Sequence, residues 1–190
     1  MKKLGIVKMA EIGPVLSSRD GGRAAADKAE AAMKPGGLVV SFKGVEIATP
    51  SFLDEVFSRI AGLLRQNESL VIAVTGLDDE VRESLDLIFE KRQLRMAVLN
   101  NEQIELLGGT QQLQETLAAA QRLGSFTAPD LAEELKIKLP SLHQRLAALL
   151  EAGAITRAPD KSAKHGRRHV YGAPSPKDIE DRRLNTTVLA

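Results

Sequence analysis

Continuous apolar runs and helical repeats alternate along the first 109 residues. Short apolar runs without a polar face are typical of strands that are buried on both faces of a sheet. The segments between them have apolar residues at every third or fourth position, which predicts amphipathic helices. The predicted strands cover residues 4–9, 38–42, 44–47, 69–76, 94–99 and 103–107, and the predicted helices cover residues 20–33, 52–66 and 78–92. This alternation favours an α/β fold with a mixed, largely parallel sheet that is covered by helices.

The pattern changes at Gly108-Gly109, after which helical repeats dominate. Helices are predicted at residues 110–123, 130–135 and 140–152, and two short strands at 154–157 and 169–171 enclose a polar loop. The polar residues from Pro174 onward are expected to form a loose tail. The predicted division is therefore an α/β domain at 1–109, a helical domain with a two-stranded β-wing at 110–173, and a flexible tail at 174–190.

The net charge of +1 hides an uneven distribution of charged residues. Residues 1–109 carry 14 basic and 16 acidic side chains, whereas residues 110–173 carry nine basic and six acidic ones. Residues 157–169 alone hold five basic side chains and one acidic side chain. Positive loops of this kind neutralise phosphates and make binding salt-dependent. The charge distribution therefore favours a nucleic-acid partner for the second half of the chain.

The second half also carries motifs at fixed spacing. They are Phe126-Thr127-x-x-Asp130-Leu131-Ala132-x-x-Leu135, then Leu142, Leu146, Leu149, Gly153 and Ile155, then Gly166-Arg167-Arg168-x-Val170-Tyr171. Together they resemble the winged helix-turn-helix domain of MarR-like and ArsR-like bacterial regulators, over residues 110–172. The resemblance implies a recognition helix that buries its leucines and offers polar side chains to the major groove of DNA.

Polar residues near the start of the recognition helix are the candidates for base contacts, and basic residues of the wing are candidates for phosphate contacts. Glutamine pairs bidentately with adenine, and arginine pairs with guanine. The alternative is that the domain docks a protein and that its charged loop is only solvated. The candidate DNA-binding residues are Ser141, His143, Gln144 and Arg145 on the helix and Arg157, Lys161, Lys164, His165, Arg167 and Arg168 on the wing.

Residues 38–64 combine an apolar strand, a Gly-Val turn and a serine ahead of a helix. This order is similar to the centre of STAS domains, the fold of anti-sigma-factor antagonists. The stretch Ser18-Arg19-x-x-Gly22, followed later by Ser51-Phe52-x-x-Glu55, more specifically resembles STAS-like domains of unknown function. Ser51 falls where STAS domains carry their phosphorylatable serine. The alternative role of Ser51 is a helix N-cap, which stabilises a helix by about 1 kcal/mol.

Two arginines form a second candidate site in the first half. Arg19 and Arg23 flank Gly21-Gly22 ahead of a predicted helix. Backbone amides at a helix start, together with two guanidinium groups, form an anion site. The alternative is a plain helix start with solvated arginines.

Composition argues against most kinds of catalytic site. The chain has no cysteine, which excludes disulfides, thiolate metal sites and a cysteine nucleophile. Its three histidines, at positions 143, 165 and 169, all fall in the predicted recognition helix or wing. We therefore expect no enzyme activity, no metal and no cofactor. The chain has no apolar run of 18 residues and no signal-peptide pattern at its start, so we expect a cytoplasmic protein without a membrane anchor.

These observations lead to two functional hypotheses. The first is a DNA-binding transcriptional regulator that binds double-stranded DNA as a homodimer. Its STAS-like domain would supply dimerisation, signal input or docking of a regulatory protein. The second is a protein-interaction switch, in which the STAS-like domain binds a kinase-like or sigma-regulating partner and the winged helix is a docking module.

Overall fold

The computed structural model describes residues 3–100, 103–160, 168–177 and 179. The first half begins with a strand and a short 3₁₀ turn at Met9–Glu11. In chain order its elements are β1 (Leu4–Lys8), β2 (Val15–Leu16), α1 (Arg19–Ala32), β3 (Gly37–Ser41), β4 (Ile47–Ala48), α2 (Pro50–Gln66), β5 (Val71–Thr75), α3 (Asp79–Arg92), β6 (Met96–Asn100) and β7 (Gln103–Leu107).

The elements of the second half are mainly helical. They are α4 (Gln111–Leu123), β8 (Ser125–Phe126), α5 (Ala128–Leu135), α6 (Leu139–Glu151), β9 (Thr156–Pro159) and β10 (His169–Gly172). Among the described residues, no helix is long and apolar enough to cross a membrane.

The main sheet has the strand order β1-β3-β5-β6-β7. The first four of these strands are parallel, and β7 pairs antiparallel with β6. The mixed α/β class and the mixed sheet predicted from the alternating pattern are therefore confirmed. The carboxyl ends of the parallel strands all lie on one side of the sheet, and their amino ends lie on the opposite side. We call these two sides the carboxyl edge and the amino edge. Lys43 follows β3 at the carboxyl edge, and Glu68 precedes β5 at the amino edge.

The predicted strand at residues 44–47 is wrong in its extent and pairing. The backbone turns after Phe42, whose carbonyl accepts a hydrogen bond from the N–H of Val45 at 2.8 Å. Only Ile47–Ala48 is extended, and it pairs with Val15–Leu16 in a separate two-stranded parallel sheet. The turn removes this segment from the main sheet.

Both faces of the main sheet are buried, each in its own hydrophobic cluster. Successive side chains of a strand point to opposite faces, so Leu38 and Val40 pack with α1, α2 and α3 while Val39 joins the other cluster. That second cluster also contains Ala73, Ala97 and Leu106 of the sheet. It continues without interruption into the leucines of the second half, among them Leu113, Leu117, Leu131, Leu142, Leu146 and Leu149.

The segment after β10 is not uniformly loose. Ile179 is fully buried and belongs to the second hydrophobic cluster, and Pro174 is also buried. The polar composition of residues 174–190 concealed this contact, because one isoleucine among charged residues forms no periodic pattern.

Candidate nucleic-acid interface

The helix α6 has one buried face and one polar face. Pro140 stands in its first turn, where a missing N–H costs nothing because the helix leaves that position unpaired. The buried face consists of Leu142, Leu146, Leu149 and Leu150. Of the predicted base-contacting residues, Ser141, His143 and Gln144 are exposed near the start of the helix. Their placement agrees with a surface that is open to a ligand.

The side chain of Arg145 points to a neighbouring helix. It is half-buried, and its Nη1 atom donates hydrogen bonds to Thr116 Oγ1 at 3.2 Å and to the carbonyl of Gln112 at 3.5 Å. Both acceptors belong to α4, so Arg145 joins two helices of the second half. Its guanidinium therefore contacts α4, whereas the side chain of Gln144 is exposed.

The helix α5 has a capping box at its start. The carboxylate of Asp130 accepts hydrogen bonds from the backbone N–H of Thr127 at 2.8 Å and from its hydroxyl at 2.7 Å. The backbone N–H bond, followed by the hydroxyl bond, lowers the pKa of Asp130 from its ordinary value of 3.8. Thr127 is the N-cap residue of α5. The turn to α6 passes through Lys136, whose left-handed backbone (φ 54°) ends α5.

The strands β9 and β10 form an antiparallel hairpin directly after α6. Their register pairs Arg157 with Tyr171 and Pro159 with His169. A third strand, β8, pairs with β10 on its other side, and the ring of Phe126 stacks on that of Tyr171 at 5.7 Å. No sequence pattern predicted β8, because two residues are too few to form a periodic pattern.

Two of the candidate wing residues make ion pairs. Arg157 is paired through Nη2 with Glu68, which lies in the loop before β5, and its N–H donates to the carbonyl of Glu68 at 2.9 Å. Arg168 Nε lies 3.7 Å from Asp160 Oδ2, and its side chain is 58% exposed. Arg168 therefore retains an accessible guanidinium, whereas Arg157 is tied to the sheet. The remaining candidates, Lys161, Lys164, His165 and Arg167, lie outside the described residues.

A groove of about 680 Å³ runs between α6, the hairpin and the end of α2. It contains two predicted residues, His143 and Arg157, and it adds His169 and Arg65, which sequence analysis did not select. Arg65 is far from α6 in sequence, so no local pattern identified it. The complete lining is Leu64, Arg65, Glu68, His143, Leu146, Ala147, Leu150, Glu151, Arg157, His169 and Tyr171.

The candidate anion site of the first half is occupied by the protein's own carboxylates. Arg19 Nη1 lies 3.0 Å from Glu55 Oε1. Arg23 contacts Asp20 at 3.0 Å and Glu55 Oε2 at 3.4 Å. These carboxylates already neutralise the positive charge that would attract an external anion. The sequence had not revealed this, because Glu55 comes from a different helix.

Ser51 is not the N-cap that the sequence predicted. The helix α2 begins at Pro50, so Thr49 occupies the N-cap position and Ser51 lies inside the first turn. The hydroxyl of Ser51 lies 3.2 Å from that of Thr49 and is half-buried. Proline is favoured at the first helical position because its fixed φ suits a helix, which places the helix start two residues earlier than expected.

Among the described residues, no group of three or more histidine or carboxylate side chains is arranged to hold a metal ion. Comparison of the chain with protein-family models, curated proteins and solved structures found no match.

Proposed function

We propose that this protein is a DNA-binding transcriptional regulator of the cytoplasm. Residues 110–173 would form a winged helix-turn-helix in which α6 is the recognition helix and the hairpin is the wing. Residues 1–109 would form a STAS-like domain that serves dimerisation, signal input or docking of a regulatory protein. Because most helix-turn-helix proteins bind two half-sites as symmetric dimers, the proposal includes a homodimer.

The observation that carries this proposal is the exposed polar start of α6 beside an antiparallel hairpin. Ser141, His143 and Gln144 are exposed there, while the opposite face of the helix is buried against α4 and α5. A helix that enters the major groove presents its first residues to the base edges. The basic residues of the sequence between 161 and 168 support a phosphate-binding wing beside it.

Titration of the full chain against labelled genomic DNA fragments tests the proposal. We expect tight binding to some fragments and affinity that falls as salt rises. The Gln144→Ala variant is expected to relax the base preference, because an exposed glutamine can pair bidentately with adenine. The Arg168→Ala variant should instead weaken binding to all fragments equally and reduce the salt dependence. Binding that remains weak and independent of sequence at low salt would overturn the proposal.

One observation favours the second candidate function, a protein-interaction switch. Val15 and Ile47 face each other across the small parallel sheet and are 51% and 45% exposed. Adjacent exposed apolar side chains are a feature of protein-docking surfaces. If this function is correct, an affinity pulldown should enrich a kinase-like ATPase, and a Val15→Thr/Ile47→Thr variant should lose it. Promoter occupancy in cells together with unchanged pulldown by the variant would reject this candidate.

A further inference from the structure

The groove beside α6 has a wall that belongs to the first half of the chain. The last turn of α2 provides Leu64 and Arg65, and the loop that follows provides Glu68. Opposite them stand His143, Ala147 and Glu151, which form one stripe of α6 because they are spaced four residues apart. A ligand on the exposed side of α6 therefore meets side chains of the α/β half as well.

The charges of the groove are not evenly balanced. The carboxylate of Glu68 is paired with Arg157. Arg65 is exposed, and among the described residues no carboxylate lies within 4.0 Å of its guanidinium. Glu151 carries the opposing charge in the last turn of α6, near the end of α2, whose Leu64 side chain would lie 3.0 Å from a Cβ at Gly153. The α2 wall thus offers an accessible positive charge beside the candidate recognition helix.

Backbone hydrogen bonds join the segment after α6 to β5 and to the loop before it, next to the α2 wall. The N–H of Ile72 donates to the carbonyl of Gly153 at 3.1 Å, directly after the end of α6. Gly153 has φ +65°, and a Cβ at this position would lie 2.9 Å from the nitrogen of Ile72, so the two backbones approach closely. The backbone bond between Arg157 and Glu68 adds a second connection. These contacts place the end of α2 beside the last turn of α6.

A helix in the major groove is bordered by both phosphate backbones of the duplex, and the residues on its flanks determine how it is positioned. The groove occupies one flank of α6. We propose that Arg65 of α2 contacts a DNA phosphate there, so that the α/β half forms part of the DNA interface. This inference rests on the proposed function. It assigns the first half a direct role in binding, in addition to signal input.

The test is the salt dependence of DNA binding by the full chain and its variants. Affinity for a labelled duplex of mixed sequence is measured by fluorescence anisotropy between about 50 and 200 mM salt. Loss of one phosphate contact reduces the slope of log affinity against log salt by about 0.9. We expect that reduction for Arg65→Gln, and a wild-type slope for Arg65→Lys, which keeps the charge. Glu151→Gln should raise the affinity, because it removes a negative charge from the same groove.

Lys43→Gln is the matched control. It also removes one positive charge from an exposed position, but Lys43 follows β3 at the carboxyl edge of the sheet, away from the groove. Its slope should equal that of the wild type. Far-UV circular dichroism and the thermal unfolding midpoint verify that each variant is folded.

The outcomes separate this inference from the proposed function. If the wild type binds DNA and Arg65→Gln has the wild-type slope, the inference is wrong while the proposed function stands. Equal losses for Arg65→Gln and Lys43→Gln would also overturn it, because they would indicate a general effect of net charge. If the wild-type chain binds no DNA at all, both the inference and the proposed function are wrong.

Discussion

At the scale of single residues, Gln144 and Arg145 show how adjacent side chains take different roles. Gln144 is exposed on α6, whereas Arg145 donates hydrogen bonds to Thr116 and to the carbonyl of Gln112 on α4. Residue type alone favours arginine for both base and phosphate contacts. In the structure, the guanidinium of Arg145 joins α6 to α4.

The Arg145→Ala variant should therefore lose stability without a change in base preference. Removal of the two hydrogen bonds is expected to lower the free energy of unfolding by about 1 kcal/mol. Chemical denaturation measures this loss, and selection of bound sequences measures the preference, at a temperature where the variant is fully folded. Gln144→Ala is the matched control on the neighbouring position, with stability within about 0.5 kcal/mol of the wild type. A changed preference in Arg145→Ala with unchanged stability would contradict this assignment.

An ion pair between two helices of the first half lowers the pKa of one carboxyl group. Asp54 accepts hydrogen bonds from Arg92 at 2.8 and 2.7 Å. The hydrogen bonds from Arg92 lower the pKa of Asp54, against the opposing effect of burial. These two residues lie on α2 and α3, so the pair connects neighbouring helices on one face of the sheet.

At the scale of elements, the edge strand β7 is protected by a side chain. The amide of Gln114 on α4 accepts a hydrogen bond from the N–H of Leu106 at 2.9 Å and donates one to its carbonyl at 2.8 Å. The side chain thus replaces a neighbouring strand at this position. Unpaired edge strands otherwise offer their backbone groups to other chains. The contact also fixes α4, and with it the start of the second half, against the sheet.

The Gln114→Leu variant should be destabilised, because the buried N–H of Leu106 loses its acceptor. An unsatisfied buried donor costs about 1 to 3 kcal/mol, and we expect a loss in that range by chemical denaturation. Gln112→Leu is the control on the same helix, since Gln112 is exposed and its side chain makes no hydrogen bond among those of the described residues. A loss of the same size in both variants would indicate an effect of leucine on the helix surface and would contradict the edge-protection argument.

At the scale of the whole molecule, the two halves share one hydrophobic cluster. Side chains of the sheet such as Val39 and Ala97 belong to the same cluster as Leu117 and Leu146 of the second half. At Gly108-Gly109 the sequence pattern changes from alternating strands and helices to mainly helices. The hydrophobic core nevertheless continues across this position.

The Leu117→Ala variant tests this shared core. Leu117 is almost fully buried, and truncation of a buried leucine costs about 2 to 5 kcal/mol. Tyr171 is the only tyrosine and the chain has no tryptophan, so intrinsic fluorescence reports on the second half, while far-UV circular dichroism reports on the whole chain. We expect both signals to have one common unfolding midpoint, in the wild type and, shifted, in the variant.

Leu123→Ala is the control for this variant, because Leu123 lies on the same helix but is 38% exposed. It should cause a much smaller shift of the midpoint. A fluorescence transition that moves away from the circular dichroism transition in Leu117→Ala would mean that the halves unfold independently.

The sequence by itself determined the mixed α/β class, most of the main helices and strands, and the exposed polar start of α6. These features depend on local periodicity and capping residues, which neighbouring positions encode. Only the tertiary structure decided that Glu55 neutralises Arg19, that Arg157 pairs with Glu68, that Arg145 joins α4, and that Arg65 lies beside α6. Each of these contacts joins residues that are distant in sequence, and its partner is chosen by how helices and sheet pack, which no local pattern specifies.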